Sequence, residues 1–198
     1  MQRNYKYPNG VLKNTLGIRD QKLLNALERR LSAQREAELI EMNPNFKPSL
    51  EMLQKMHGYL FQDIYEWAGE IREGDIAKGM IFCLPPYIEG EARKLFDEMK
   101  REMSKLKKMG SHELSMRMAY YMGEINSIHP FREGNGRTQR LFMRCLAGEL
   151  GHTLEFPESR EAMISASKKA FMKDYSELAS MIEHGLDAEK DRDYPAKE

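Results

Sequence analysis

Apolar residues recur at three- and four-residue steps along nearly the whole chain, which is the period of an amphipathic helix. The pattern predicts an all-α protein. Over residues 20–42, Leu24, Leu27 and Leu31 form one stripe, with Asp20 placed to cap the first turn. After Pro48-Ser49, Leu50, Leu53, Met56, Leu60, Ile64 and Trp67 predict a second helix that stops near Gly69. A third runs from Ile88 through Leu95, Phe96, Met99 and Leu106 to Gly110, with Lys and Glu on its opposite, solvent-facing side. The fourth starts near Ser111 and carries Leu114, Met118, Met122 and Ile125. It is expected to end near Ile128, because Pro130 disfavours helical geometry at His129. The fifth, after Gly136, is apolar on nearly all sides from Leu141 to Leu150, so it is expected to be central and buried, with Gly151 as its stop. Two more helices fit residues 158–172 and 174–185, and a polar tail, 187–198, is expected to fray.

One stretch breaks the helical period. Asp75 to Pro86 includes Met80-Ile81-Phe82-Cys83-Leu84, which favours an extended strand, and Lys78-Gly79 can turn a short hairpin. An irregular loop fits the same residues equally well. The fifteen methionines mostly fall at core spacing, where they fill irregular gaps.

The chain's 198 residues suit one domain with a full core. Lys+Arg and Asp+Glu both number 31, so there is no overall field to draw the protein to nucleic acid or a membrane surface. Any anion site must concentrate its charge locally. Cys83 and Cys145 are too few and too far apart for a disulfide scaffold or a zinc site. No apolar stretch approaches the ~20 residues of a membrane span, and Met1 to Gly10 do not read as a signal peptide. The expectation is a cytoplasmic protein that engages neither nucleic acid nor membrane directly.

Most of the chemistry lies in His129-Pro-Phe-Arg-Glu-Gly-Asn-Gly-Arg-Thr-Gln-Arg140. The arrangement is helix, loop, helix. A helix N-terminus offers unpaired N–H groups and a partial positive charge, so it suits phosphates. Gly134 and Gly136 let backbone approach closely, and Asn135 tolerates left-handed geometry and can donate through its amide. Arg137 and Arg140, three apart, project from one face and can fork onto phosphate oxygens. His129 can take a proton from an attacking hydroxyl. An isolated histidine is more often structural, and His57, His112, His152 and His184 are read that way. Glu133 can hold magnesium together with nucleotide phosphates; the plainer reading is a surface pair with Arg132 or Arg137. Phe131 is expected to turn inward and anchor the loop.

This string matches the signature of Fic-domain proteins, His-x-Phe-x-(Asp/Glu)-Gly-Asn-Gly-Arg-x-x-Arg, at every specified position. The segments Tyr7-Pro8-Asn9-Gly10 to Asn14 and Phe61-Gln62-Asp63-Ile64-Tyr65-Glu66-Trp67-Ala68-Gly69 also resemble stand-alone bacterial Fic proteins. The resemblance implies one domain over residues 5–186, a helical bundle around a buried central helix pair, and a small β-hairpin flap at Ile76–Leu84. It implies a protein adenylyltransferase using ATP and Mg²⁺. His129 would be the base and Glu133 the metal ligand. Gly134, Asn135 and Gly136 would form the anion hole, with Arg137 and Arg140 on the outer phosphates. Lys78, Ile81 and Phe82 are the flap candidates for docking a target protein, although simple packing accounts for Ile81 and Phe82 as well.

Many relatives are restrained by a Ser/Thr-x-x-x-Glu-Gly/Asn helix whose glutamate pairs with the second motif arginine, here Arg140. Ser32 to Glu36 fits in part but is followed by Ala37, and Glu183 lacks both the leading Ser/Thr and the trailing residue. The expectation is therefore a separate antitoxin that supplies the glutamate, with this chain as the toxin. Rival readings are transfer from another donor such as UTP or CDP-choline, phosphorylation, and a non-catalytic nucleotide-binding module. Phosphorylating relatives lack the second arginine, which Arg140 supplies here. A secreted effector is disfavoured by the absence of a delivery domain after residue 187.

Overall fold

Asp20 caps the first helix: its Oδ1 accepts the Leu23 N–H at 2.7 Å. Helix α1 then runs Gln21–Met42 and buries Leu24, Glu28, Ser32 and Leu39. The computed structural model describes residues 4–42, 45–77 and 81–187; the predicted tail beyond Asp187, and Lys78, lie outside them. Ser49 caps α2 (Leu50–Phe61) through the Met52 N–H. Helix α3 is Pro85–Leu106. It starts three residues earlier than its apolar stripe, because proline loses nothing in a first helical turn, where the N–H has no partner anyway. Helices α4 (Ser111–Ile128), α5 (Asn135–Glu149), α6 (Arg160–Phe171) and α7 (Ser176–Gly185) follow.

The second helix is shorter than its stripe predicts. It ends at Phe61, and Ile64 and Trp67 are buried from a turn instead. The turn's polar groups are taken by other parts of the chain. Arg35 holds the Asp63 carboxylate at 2.6 Å, Thr15 Oγ1 donates to the Asp63 carbonyl, and the Thr15 N–H donates to that of Ile64. Gly69 closes the turn at φ 86, with its Cα against Gly58.

Helix α4 lies at the centre, packed by α3, α5, α6 and α7, while α2 packs on both α5 and α1. Leu114, Met118, Ala119 and Tyr121 of α4 and Leu141, Phe142, Met143 and Leu146 of α5 are fully buried. Burying each large apolar side chain is worth roughly 1.5–3 kcal/mol, so this pair holds the facing ends of α4 and α5 in place. Helix α5 is less uniformly buried than its sequence suggests. Arg140, Arg144 and Cys145 remain partly exposed, on a polar seam toward α1. The extended stretch forms one antiparallel bridge, Ala77 to Ile81, supported by Phe82 N–H to the Ile76 carbonyl at 3.4 Å. No helix among the described residues is long and apolar enough to cross a membrane.

Candidate active site

Helix α4 ends as its proline requires. His129 leaves the helix in left-handed geometry at φ 48, ψ 61, a conformation that costs a non-glycine residue roughly 1–2 kcal/mol. Its Nδ1 donates to the Asn126 carbonyl at 3.3 Å, which puts the lone pair of the neutral ring on Nε2. The Phe82 ring stacks on the imidazole, with centroids 3.8 Å apart and planes 14° apart. The two flap candidates therefore part ways: Phe82 is buried on the histidine, while Ile81 is 72% exposed.

The loop after His129 is braced from inside. Phe131 is buried and stacks on His57 at 3.9 Å. His57 accepts the Gly69 N–H on Nδ1, so its Nε2 carries the proton and donates to the Glu133 carbonyl at 2.9 Å. Burial lowers the His57 pKa to about 4, so the ring stays neutral in this role. Asn135 uses both ends of its amide on Phe131, accepting its N–H at 3.0 Å and donating to its carbonyl at 2.7 Å. The amide expected to face a phosphate instead shapes the loop, and the Asn135 backbone N–H is what lies at the helix start.

Gly134 sits at φ 82 as the N-cap of α5. A Cβ there would lie 2.4 Å from two carbons of the Phe61 ring, so both the angle and the space demand glycine. The Glu133 carboxylate accepts the Gly134 N–H at 3.0 Å, at the lip of the loop. Gly136 is exposed, with only Arg140 Nη1 near its missing side chain.

The motif arginines lie against α1. Arg137 pairs with Glu28, donates to Ser32 Oγ at 3.2 Å and lies over the Phe61 ring at 4.8 Å. Glu28 also accepts the Tyr65 hydroxyl. Arg144 pairs with Glu36. Arg140 lies between them in sequence, and burial pulls its pKa below the ordinary arginine value. Among the described residues no hydrogen bond or salt bridge engages its guanidinium. The partial Ser32-to-Glu36 match thus does touch this seam, through Arg137 and Arg144. Glu183 pairs with His112 at the start of α4, about 25 Å along the helix from His129.

Glu28, Tyr65 and Arg72 join the site without having been singled out by the motif, and His57 has a place at the loop that its sequence context does not announce. The signals were present but weak: Glu28 follows Leu24 by four residues, on the inner stripe, and His57 sits between Met56 and Leu60. Arg72 lies behind the site, donating to the His129 carbonyl at 2.8 Å. A groove of about 730 Å³ opens beside the flap between α3 and α4, with Phe82, Ser127 and Ile128 among its lining residues.

This geometry has known counterparts. Residues 47–147 match the Fic/DOC family. The Sinorhizobium fredii protein named "Probable protein adenylyltransferase y4lH" is 35% identical over 87% of this chain and 89% of its own length. Protein adenylyltransferase VbhT of Bartonella schoenbuchensis is 37% identical over 89% of this chain, which spans only 37% of that longer protein. The N-terminal Fic domain of a VirB-translocated Bep effector protein from Bartonella quintana, solved with bound ADP, is 27% identical. It superposes with a TM-score of 0.87 over 94% of this chain and 95% of its own. The chain belongs to the Fic/DOC family.

Proposed function

We propose that the protein is an adenylyltransferase, with residues 5–186 as one catalytic domain, moving AMP from ATP to a Tyr, Ser or Thr hydroxyl of a target protein. The names of its relatives and the ADP in a similar Fic domain support this reading. His129 Nε2 takes the hydroxyl proton. The freed oxygen bonds to the α-phosphorus, the bond to the bridging oxygen breaks, and pyrophosphate leaves. Charge developing on the phosphoryl oxygens meets the anion hole of Gly134, Asn135 and Gly136, through the N–H groups of Asn135 and Gly136 at the α5 N-terminus, since the Gly134 N–H is held by Glu133. Arg137 and Arg140 hold the outer phosphates in line.

Glu133, at the lip of that loop, would hold Mg²⁺ together with phosphate oxygens. A lone carboxylate suits magnesium, which takes much of its shell from nucleotide and water. Once bound, the ion would neutralise phosphate charge. Ile81, with Lys78, would pair the target segment by strand addition to the flap edge, while Phe82 backs the histidine. The single observation that carries the reading is that the His129 lone pair, the Gly134 turn and the arginine face of α5 are packed into one loop between two buried helix ends.

We place the protein in the cytoplasm, as the toxin of a toxin–antitoxin pair. Both cysteines are free thiols, in keeping with a reducing compartment. Arg140 would receive a glutamate from a separate antitoxin. Glu36 spends its ion pair on Arg144, although its charge also acts on Arg140, and Glu183 is remote; the absence of a direct Arg140 pair among the described residues supports inhibition from outside the chain. Incubation with bacterial lysate and α- or γ-labelled ATP tests the reaction. Label should enter a protein band from the α position only, and be lost in His129→Ala. Transfer from the γ position, or equal labelling by that variant, overturns the reading. Neither Glu36→Gly nor Glu183→Gly should raise activity; a sharp rise from either would make the restraint internal.

A further inference from the structure

We propose that Arg72 is a positioning residue for this transfer: one buried guanidinium that locks the turn at His129 to both feet of the flap. The inference rests on the adenylyl-transfer reading. Arg72 is 2% exposed, and among the described residues no carboxylate pairs with it. Its bonds go to backbone carbonyls. Nε donates to His129 at 2.8 Å, Nη1 to Gly74 at 2.8 Å, and Nη2 to Cys83 and, at 3.4 Å, to Ile128. The Arg72 backbone N–H adds a bond to the Pro130 carbonyl at 2.9 Å.

These acceptors come from two places. Gly74 precedes the flap and Cys83 lies in its leaving arm, and Ile128 and His129 form the end of α4. The Cys83 N–H also reaches back to the Ser127 carbonyl at 3.1 Å. A planar fork of five donors can serve carbonyls converging from several directions, which a lysine cannot do. Burying a cation with no carboxylate in direct contact is costly, and desolvation lowers the Arg72 pKa, with Asp75 acting on it from a distance in the opposite sense. An apolar residue would fill the space, but would leave the carbonyls unpaired and the flap tied to the end of α4, among the described residues, only by the Phe82 stack and the Cys83 N–H.

The carbonyl held by Nε belongs to the strained left-handed residue, so this bond holds the backbone from which the imidazole projects. The same side chain sets the seat of Phe82, which covers that imidazole. Among the described residues Arg72 makes no hydrogen bond or ion pair to residues 131–136 or to the α5 arginines, which separates its role from nucleotide binding.

Arg72→Gln and Arg72→Lys test this. In Arg72→Gln, turnover of AMP from α-labelled ATP should fall by about 10²-fold, the scale expected for a misplaced reacting group. ADP affinity by calorimetry should stay near wild type. Amide exchange at Phe82 and Cys83 should speed up, while that of Leu141 to Ala147 stays slow. Arg72→Lys keeps the cation but reaches fewer of the carbonyls, so it should fall between the two, and it carries the comparison if the glutamine variant does not fold. Unchanged turnover overturns the proposal, as does ADP affinity falling in step with turnover, which marks a merely structural arginine. Unchanged flap exchange overturns the clamp whatever the activity. A wild-type protein that labels nothing, with a flap that still loosens in Arg72→Gln, overturns the transfer reading and leaves the clamp standing.

Discussion

Glu28 carries two burdens with one carboxylate: it neutralises Arg137 and accepts the Tyr65 hydroxyl. Burial and the adjacent charge raise the Tyr65 pKa, so the phenol remains a donor. Glu28→Gln keeps the shape and removes the charge. It should cost about 2 kcal/mol, the scale of a hydrogen bond to a charged group, read as a lower urea midpoint at unchanged slope. Tyr65→Phe should cost less. The motif itself was legible because its parts lie within twelve residues and each has a local reason, such as Gly134 at positive φ. Glu28 and Arg72 were not legible in the same way. Their partners lie 109 and 57 residues away, and no local period reports a pairing across that distance.

At the scale of elements, α2 supports the site from behind through His57. The ring is buried neutral, with a pKa near 4 against an ordinary 6.5. Its contribution is complete above pH 6.5. Between pH 6.5 and 4 the unfolded chain binds a proton that the folded chain refuses, so that contribution is lost as pH falls. The loss is about 3 kcal/mol over the window. Urea unfolding at pH 7 and pH 4.5 should show a shallower pH dependence in His57→Gln than in wild type, on a lower overall stability. Helix identity was readable from periodicity throughout, and Pro130 marked the end of α4. The end of α2 was not readable, because it depends on Thr15 and Arg35 capturing the following turn. The flap also gave little signal, since its pairing among the described residues is a single bridge.

Across the whole molecule, the chain closes by laying α7 on α4 and joining its end to the segment after α5. Leu154 bridges Leu186, and the Glu155 N–H bonds to the Gly185 carbonyl at 3.0 Å. A Cβ on Gly185 would meet the Glu155 carbonyl oxygen at 1.9 Å. Gly185→Ala should therefore cost about 2–3 kcal/mol, or roughly 5–10 °C in Tm for a chain of this size. Gly148→Ala is the matched control. It has open space around it and lies inside α5, so it should stabilise by up to about 1 kcal/mol. Thermal scans of the two variants should move in opposite directions.

The aromatic roof that Phe82 lays over His129 bears on what the protein does when no target is present. If His129 is the base, as proposed, it would activate water beside a bound triphosphate as readily as an alcohol, and ATP would be lost to idle hydrolysis. A ring in van der Waals contact with the imidazole shuts solvent out from that side. Phe82→Ala should therefore leak, releasing AMP and pyrophosphate from ATP alone faster than wild type does, as chromatography of the nucleotide products would reveal.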